Sequence, residues 1–162
     1  MKTREFDLIL WGASGFTGRL VAEHLARRCR EGLELRWAVG GRNAGKLAEM
    51  LAEIGAQRTP IVLGDSHDPH ALAALARRTR AVCSTVGPYA LYGSELVAAC
   101  ADQGTHYCDL SGEVHWMRQM IDAHQARAAE TGARIVHACG FDSVPSDLGC
   151  YFLQQQAIAR YG

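Results

Sequence analysis

The stretch Phe6-Asp7-Leu8-Ile9-Leu10-Trp11-Gly12-Ala13-Ser14-Gly15-Phe16-Thr17-Gly18-Arg19-Leu20 carries an apolar β-rich run into three glycines spaced three apart. Helix-spaced Leu20, Val21, His24 and Leu25 follow. Gly12 allows the tight turn out of the strand, Gly15 lets backbone N–H groups approach phosphate oxygens, and Gly18 lets helix pack closely on strand. The helix N-terminus adds free N–H donors and partial positive charge. Three glycines alone would read equally well as a structural turn. A strand before and a helix after are the context that makes this spacing a pyrophosphate site.

Outward from that turn, β-rich runs alternate with helical patterns, with no repeat, low-complexity stretch or linker. Strands are expected at 6–11, 35–39, 60–63, 81–86, 106–110 and 134–138. Helices are expected at 16–30, 44–54, 69–78, 94–103 and 114–131. Such alternation predicts an α/β fold, a doubly wound (Rossmann), mainly parallel six-stranded sheet with helices on both faces. In the last of these helices Val114, Met117, Ile121, His124 and Ala128 share one face, which argues for core packing and makes His124 a core-edge histidine. Val144-Pro145 then breaks the chain, and Ser146 could cap a further helix containing Leu148, Tyr151, Phe152 and Ile158.

At 162 residues, 48% hydrophobic and 21% charged, the chain has the makeup of one globular domain with a proper core. No apolar run approaches the roughly 18 residues of a spanning helix. The start, Met1 to Phe6, leads straight into a strand without a signal-peptide core, so a cytoplasmic location is expected. Seventeen basic and seventeen acidic side chains balance, which argues against a nucleic-acid partner. Six cysteines form no C-x-x-C pair, and Cys83 and Cys139 fall inside expected buried strands; they read as reduced thiols. His67, His70, His106, His115 and His137 lack metal-ligand spacing, and no metal is assigned.

The end of the second strand selects the dinucleotide. NAD-binding folds of this type usually place a carboxylate there to accept the ribose 2′-OH. Here the position reads Gly40-Gly41-Arg42-Asn43. No carboxylate repels a 2′-phosphate, and Arg42 could hold one through a bidentate, charge-assisted contact. Such a bond contributes about 1.5–3 kcal/mol, a roughly tenfold to hundredfold preference for NADP(H). Lys46 would lie in the first turn of the next helix, where a cation opposes the macrodipole unless an anion is near. The plainer reading of both side chains is solvated surface charge.

Ligands of open α/β sheets lie outside the carboxyl ends of the strands. Gly64-Asp65 could border the adenine or simply initiate a helix ahead of Asp68-Pro69. Thr85-Val86-Gly87-Pro88-Tyr89 would run past the nicotinamide ribose. The loops Asp109 to Glu113 and Gly140 to Pro145 follow the fifth and sixth strands. Ser111 or Asp109 would cap the long helix and Pro145 would start the last one. Tyr89, Tyr107 and Asp109 are general-acid candidates by location only, and the catalytic residues stay unassigned.

Five motifs in this order, GASGFTG (12–18), GRNAGKL (41–47), STVGPYALYG (84–93), YCDLSGE (107–113) and GFDSVPSDLG (140–149), resemble the saccharopine dehydrogenase-like NADP-binding domain. The resemblance is to its trans-acting enoyl reductase and saccharopine dehydrogenase-like oxidoreductase branch and covers nearly the whole chain. It implies phosphate contacts at Gly12, Ser14, Gly15, Phe16, Thr17 and Gly18. It also implies 2′-phosphate or adenine contacts at Arg42, Lys46 and Asp65, and nicotinamide-side contacts at Thr85, Val86, Gly87 and Pro88. In that family this is the amino-terminal part of a longer NADP(H) oxidoreductase. Residues 1–145 would then be the binding domain, and 146–162 the start of a linker helix toward a carboxy-terminal domain that binds a small-molecule or lipid-like substrate and supports a homodimer.

Two functions follow: an oxidoreductase domain in which NADPH delivers hydride to a carbonyl, imine or activated alkene, incomplete without its second domain, or a non-enzymatic NADP(H)-binding redox sensor. A short-chain dehydrogenase reading fails, because its Tyr-x-x-x-Lys pair cannot be built from Lys2 and Lys46, the only lysines.

Overall fold

The structure, a computed structural model, describes residues 4–162; the Met1-Lys2-Thr3 part of the chain start read above lies outside them. Six strands, β1 (Phe6–Trp11), β2 (Trp37–Gly41), β3 (Ile61–Leu63), β4 (Thr79–Ser84), β5 (His106–Asp109) and β6 (Ile135–Val136), form one sheet in the order β3-β2-β1-β4-β5-β6. Every pairing is parallel; Ile9, for example, lies opposite Ala38 on one side and Val82 on the other. The helices are α1 (Phe16–Arg30), α2 (Ala44–Glu53), α3 (Pro69–Arg78), the four-residue α4 (Tyr89–Tyr92), α5 (Ser94–Gln103), α6 (Val114–Thr131) and α7 (Val144–Tyr161).

Strand residues alternate between two cores. Ile9, Trp11, Val82 and Tyr107 pack with Leu72 and Leu75 of α3, Leu96 and Val97 of α5 and Trp116 of α6. Leu10 and Val39 face the other way, onto Ala22 and Ala26 of α1 and Leu47 and Leu51 of α2. Burial on both faces is why β1 reads as an almost unbroken apolar run and not as alternation. Helix starts follow local chemistry: Asn43 accepts the Lys46 N–H at α2, and Asp68 accepts those of His70 and Ala71 at α3, with Pro69 in the first turn.

Several boundaries differ from expectation, each for a tertiary reason. Strand β4 ends at Ser84; just beyond it the Thr85 N–H makes the last ladder bond to the Trp11 carbonyl (2.9 Å), and its hydroxyl turns onto the carbonyls of Trp11 and Gly12 (3.1 and 3.2 Å). Strand β6 stops after Val136; Ala138 adopts a positive φ of 58° while its N–H bonds Asp109 Oδ1. Cys139 is therefore exposed beyond the strand, while Cys83 is half-buried on β4. Helix α6 keeps part of the expected face: Ala128 is buried and Met117 packs against the core, whereas Val114 (67% exposed) and Ile121 (39%) turn outward and Trp116 is buried instead. The indole draws that part of the helix inward, packing on Tyr89 and donating its N–H to Ser94 Oγ at 2.9 Å. His124 is half-buried at the core edge. Ser146 lies inside α7 and is not its cap: Ser143 holds the N-cap position without a side-chain cap bond, and Pro145 occupies the first turn.

Below the sheet, the Arg4 guanidinium ties three elements together. It donates to the carbonyls of Ala76 (2.5 Å), Thr79 (3.1 Å) and Gln103 (2.7 Å) and to Thr105 Oγ1 (2.9 Å), filling acceptors that the ends of α3 and α5 leave open. Arg4→Ala is expected to lower unfolding free energy by about 2–3 kcal/mol, read as a lower urea midpoint at unchanged slope. Arg4→Lys should recover only part of that loss, because one ammonium cannot reproduce the planar fork.

Candidate functional site

The turn after β1 places its glycines for two different physical reasons. Gly12 has φ +85°, and a Cβ there would also stand 2.5 Å from Val86 Cγ2. A Cβ on Gly18 would run into the Gly12 carbonyl oxygen and lie 2.8 Å from Ala13 Cα, so α1 reaches the turn only without a side chain at that position. Gly15 is the N-cap of α1, with no side-chain cap and no acidic residue in the first turn. The first intrahelical bond runs from Arg19 N–H to the Gly15 carbonyl. The Phe16, Thr17 and Gly18 N–H groups ahead of it suit an anion. Phe16 projects outward at 84% exposure, and Thr17 is half-buried.

A cleft of about 460 Å³ opens beside this turn, lined by Ser14 and Gly15 from the turn, Arg42 and Gly41 from the end of β2, Gly64 to His67 after β3, and Thr85 to Pro88 with Tyr92 after β4. Trp11 is its floor. The indole is 2% exposed and fills the space where a Cβ on Gly40 would stand 2.6 Å from Cε3 and one on Gly64 3.3 Å from Cη2. Its N–H donates to Ser66 Oγ at 3.3 Å, holding the loop after β3. Trp11 leaves no room for a side chain at Gly40, whereas a Cβ on Gly41, the last residue of β2, would meet only Leu47 at 3.6 Å.

Arg42 is exposed, borders the cleft and makes no ion pair among the described residues. Asp65 borders it too, but its Oδ1 also accepts the His67 N–H at 2.8 Å, while α3 is capped by Asp68. Lys46 is exposed on α2 and does not line the cleft. Of the sequence-derived contacts, then, Gly12, Ser14, Gly15, Arg42, Asp65, Thr85, Val86, Gly87 and Pro88 come together around one space. Phe16, Thr17 and Gly18 stand at its helix end.

The general-acid candidates turn inward. Tyr89 donates its hydroxyl to the Ser84 carbonyl (3.1 Å), and burial pushes its phenol up to about 12. Tyr107 is 2% exposed, its phenol raised above the usual tyrosine range by burial first and by the Asp109 charge second. The Asp109 side chain is fully buried; Oδ1 accepts the N–H groups of Ser111 (3.0 Å) and Ala138 (3.1 Å), and Oδ2 lies 2.7 Å from His137 Nδ1. Its carboxylate joins the loops after β5 and β6. Neither Asp109 nor Ser111 caps α6: Glu113 holds that position, and Ser111 Oγ accepts the Glu113 N–H.

Reading the chain by itself missed Trp11, Ser66, His67 and Tyr92 as cleft residues, and Glu113 as the group behind one wall. Glu113 Oε1 accepts the Tyr89 N–H (2.6 Å) and Oε2 the Ala90 N–H (2.9 Å), so YCDLSGE holds STVGPYALYG in place. Their shared presence in the sequence was the available signal. Among the described residues no cluster of three or more His, Cys, Asp or Glu could hold a metal, and no helix is long and apolar enough to cross a membrane.

Residues 8–136 match the model of the saccharopine dehydrogenase NADP binding domain. A trans-acting enoyl reductase of Mycobacterium leprae is 50% identical over 157 residues, covering 96% of this chain and 37% of that protein. One of Mycobacterium tuberculosis is 48% identical over 157 residues, with the same coverage of 96% and 37%. This chain therefore spans little more than a third of the length of these relatives. Among solved structures, saccharopine dehydrogenase (L-Glu forming) of Saccharomyces cerevisiae aligns with TM-score 0.68 at 18% identity over 85% of this chain and 28% of its own. The Citrobacter sp. triphenylmethane reductase complexed with NADP(H) aligns at 0.56 and 17% identity, over 81% of this chain and 48% of its own. At those identities the two structures attest the fold. Matched over most of its length, the chain belongs to the saccharopine dehydrogenase NADP-binding domain family.

Proposed function

We propose that this chain binds NADPH across the carboxyl ends of β1, β2 and β4 and serves as the hydride-donor part of an oxidoreductase. The observation that carries this reading is the pairing of two anion sites on one cleft. The uncapped first turn of α1 suits the pyrophosphate, and Arg42, which borders the cleft and makes no ion pair among the described residues, suits the 2′-phosphate. Thr85 to Pro88 border the nicotinamide side. Bound there, NADPH supplies a hydride from its nicotinamide ring. The chain's own residues bind and orient: Trp11 keeps the floor flat, Thr85 locks the β4 end to the glycine turn, and Arg42 discriminates the phosphate.

Of the three substrate classes open to the sequence, the relatives' name, trans-acting enoyl reductase, favours the activated alkene. With Tyr89, Tyr107 and Asp109 held inside, we assign the proton donor and the substrate surface to the part of the longer protein that the relatives possess beyond this match. Helix α7 suits the junction. It has no buried residue and exposes Leu148, Phe152 and Ile158, apolar area that a second domain would cover.

Titration with NADPH and NADH by calorimetry tests the cofactor reading. The wild-type chain is expected to bind NADPH about tenfold to hundredfold tighter than NADH, and Arg42→Ala to erase the difference. Lys46→Ala should change the NADPH Kd by about twofold or less, as expected of an exposed charge off the cleft. Binding of neither nucleotide by folded wild-type protein would overturn the reading. Gly18→Ala is expected to cost about 1–3 kcal/mol in urea unfolding and to weaken NADPH binding as well, because α1 must back away from the turn.

A further inference from the structure

Strands β4 and β5 set two thiols side by side. Cys83 and Cys108 are register partners on these neighbouring parallel strands, as are Val82 and Tyr107 just before them. Val82 and Tyr107 point into the core made with α3, α5 and α6. Cys83 and Cys108, one residue on, therefore share the opposite face. Helices α1 and α2 cover that face over β1 to β3, and Cys83 packs only at the rim of their core. Both thiols are half-buried, so a small solute can reach them. Neighbouring strands lie about 4.7–4.9 Å apart, inside the roughly 4.4–6.8 Å that a disulfide spans between Cα atoms. The thiols already meet. A hydrogen bond from Cys108 holds the Cys83 thiol below its ordinary pKa, while the same contact, and burial after it, raises Cys108. One member of the pair is thus suited to attack and the other to follow.

We propose that Cys83 and Cys108 are an oxidation site at which a hydroperoxide closes a disulfide between β4 and β5, and that closure loosens the cofactor cleft. The second part rests on the NADPH reading above. The Cys83 thiolate attacks a peroxide oxygen; the O–O bond breaks, the leaving oxygen takes up the thiol proton as water or an alcohol, and a sulfenic acid remains. The Cys108 sulfur then attacks the Cys83 sulfur, the S–O bond breaks, and the hydroxyl departs with the Cys108 proton as water. Two thiols lose two electrons and one hydroperoxide gains them. Disulfide Cβ atoms stand about 3.5–4.5 Å apart, closer than the strand spacing, so closure draws β4 toward β5. Strand β4 lies between β1 and β5. The same movement pulls its carboxyl end away from β1, where the Thr85 N–H and hydroxyl reach the carbonyls of Trp11 and Gly12. Those bonds hold the glycine turn against the Thr85 to Pro88 wall of the cleft.

The test treats the reduced wild-type chain with hydrogen peroxide, digests it without reductant and maps the peptides by mass spectrometry. The expected product is a pair of peptides joined through Cys83 and Cys108, lighter by two hydrogen atoms than the separate peptides and parted by dithiothreitol. Cys139, exposed beyond β6, is the rival partner. Cys139→Ser is expected to keep the link and Cys108→Ser to lose it. A link through Cys139 in its place, or oxidation of Cys83 and Cys108 only to unlinked acids, would overturn the site. Calorimetry on the linked wild-type protein should show NADPH binding weakened by about threefold or more and restored by dithiothreitol. Cys108→Ser, which cannot close the link, should keep its NADPH affinity through the same treatment. Linked protein that binds NADPH as the reduced protein does would overturn the coupling and leave the disulfide standing. A reduced chain that binds no NADPH would overturn the cofactor reading and the coupling with it, while the peptide map decides the disulfide by itself.

Discussion

Everything on the cofactor side depends on one close approach, that of α1 to the turn leaving β1. The helix stands over Gly12 and Ala13 at a distance that excludes even a methyl group at position 18. This contact is between backbones. No side-chain packing elsewhere can replace it, and it aims the uncapped N-terminus of α1 at the cleft. A helix displaced by the width of a methyl group would keep its own hydrogen bonds. It would no longer present the Phe16 to Gly18 N–H groups to the same point in space.

Trp11 extends the same logic to the next two strands. Its ring fills space that side chains at Gly40 and Gly64 would need, which flattens the ends of β2 and β3. Arg42, just past the end of β2, borders the cleft above this floor and makes no ion pair among the described residues.

On the other side of the sheet, buried and half-buried polar side chains do the joining. Asp109 gathers the loops after β5 and β6, Glu113 holds α4, and Thr85 binds β4 to the glycine turn. Each carboxylate accepts hydrogen bonds from backbone N–H groups, so truncating either would leave donors without partners, at a cost above the net value of the bonds themselves. That is why Asp109, placed among the acid candidates by its strand end, belongs to the scaffold. Its position at the end of β5 was legible, but two of the three groups that turn toward it, His137 and the Ala138 N–H, come from residues far along the chain.

Local chemistry carried much of this protein. The apolar runs, the helix-spaced residues and the glycine turn were enough to specify six parallel strands between helices, because each depends on neighbours within a few positions. The bounds of α1, α3, α5 and α6 follow from the same short-range signals. Arg42 and the loop from Thr85 to Pro88 were legible as cleft residues because strand ends in such sheets point to one edge. The tertiary structure decided what depended on distant partners. The Thr85 hydroxyl ties the end of β4 to Trp11 and Gly12, Asp109 holds the chain beyond β6, and the packing of Trp116 on Tyr89 and Ser94 shifts the buried stripe of α6. The meeting of His67 with Tyr92 and the burial of Tyr107 belong to this second class. A residue's type and its near neighbours state what it can do; which groups surround it is settled only when separate segments pack, since burial and hydrogen-bond partners are properties of the assembled core.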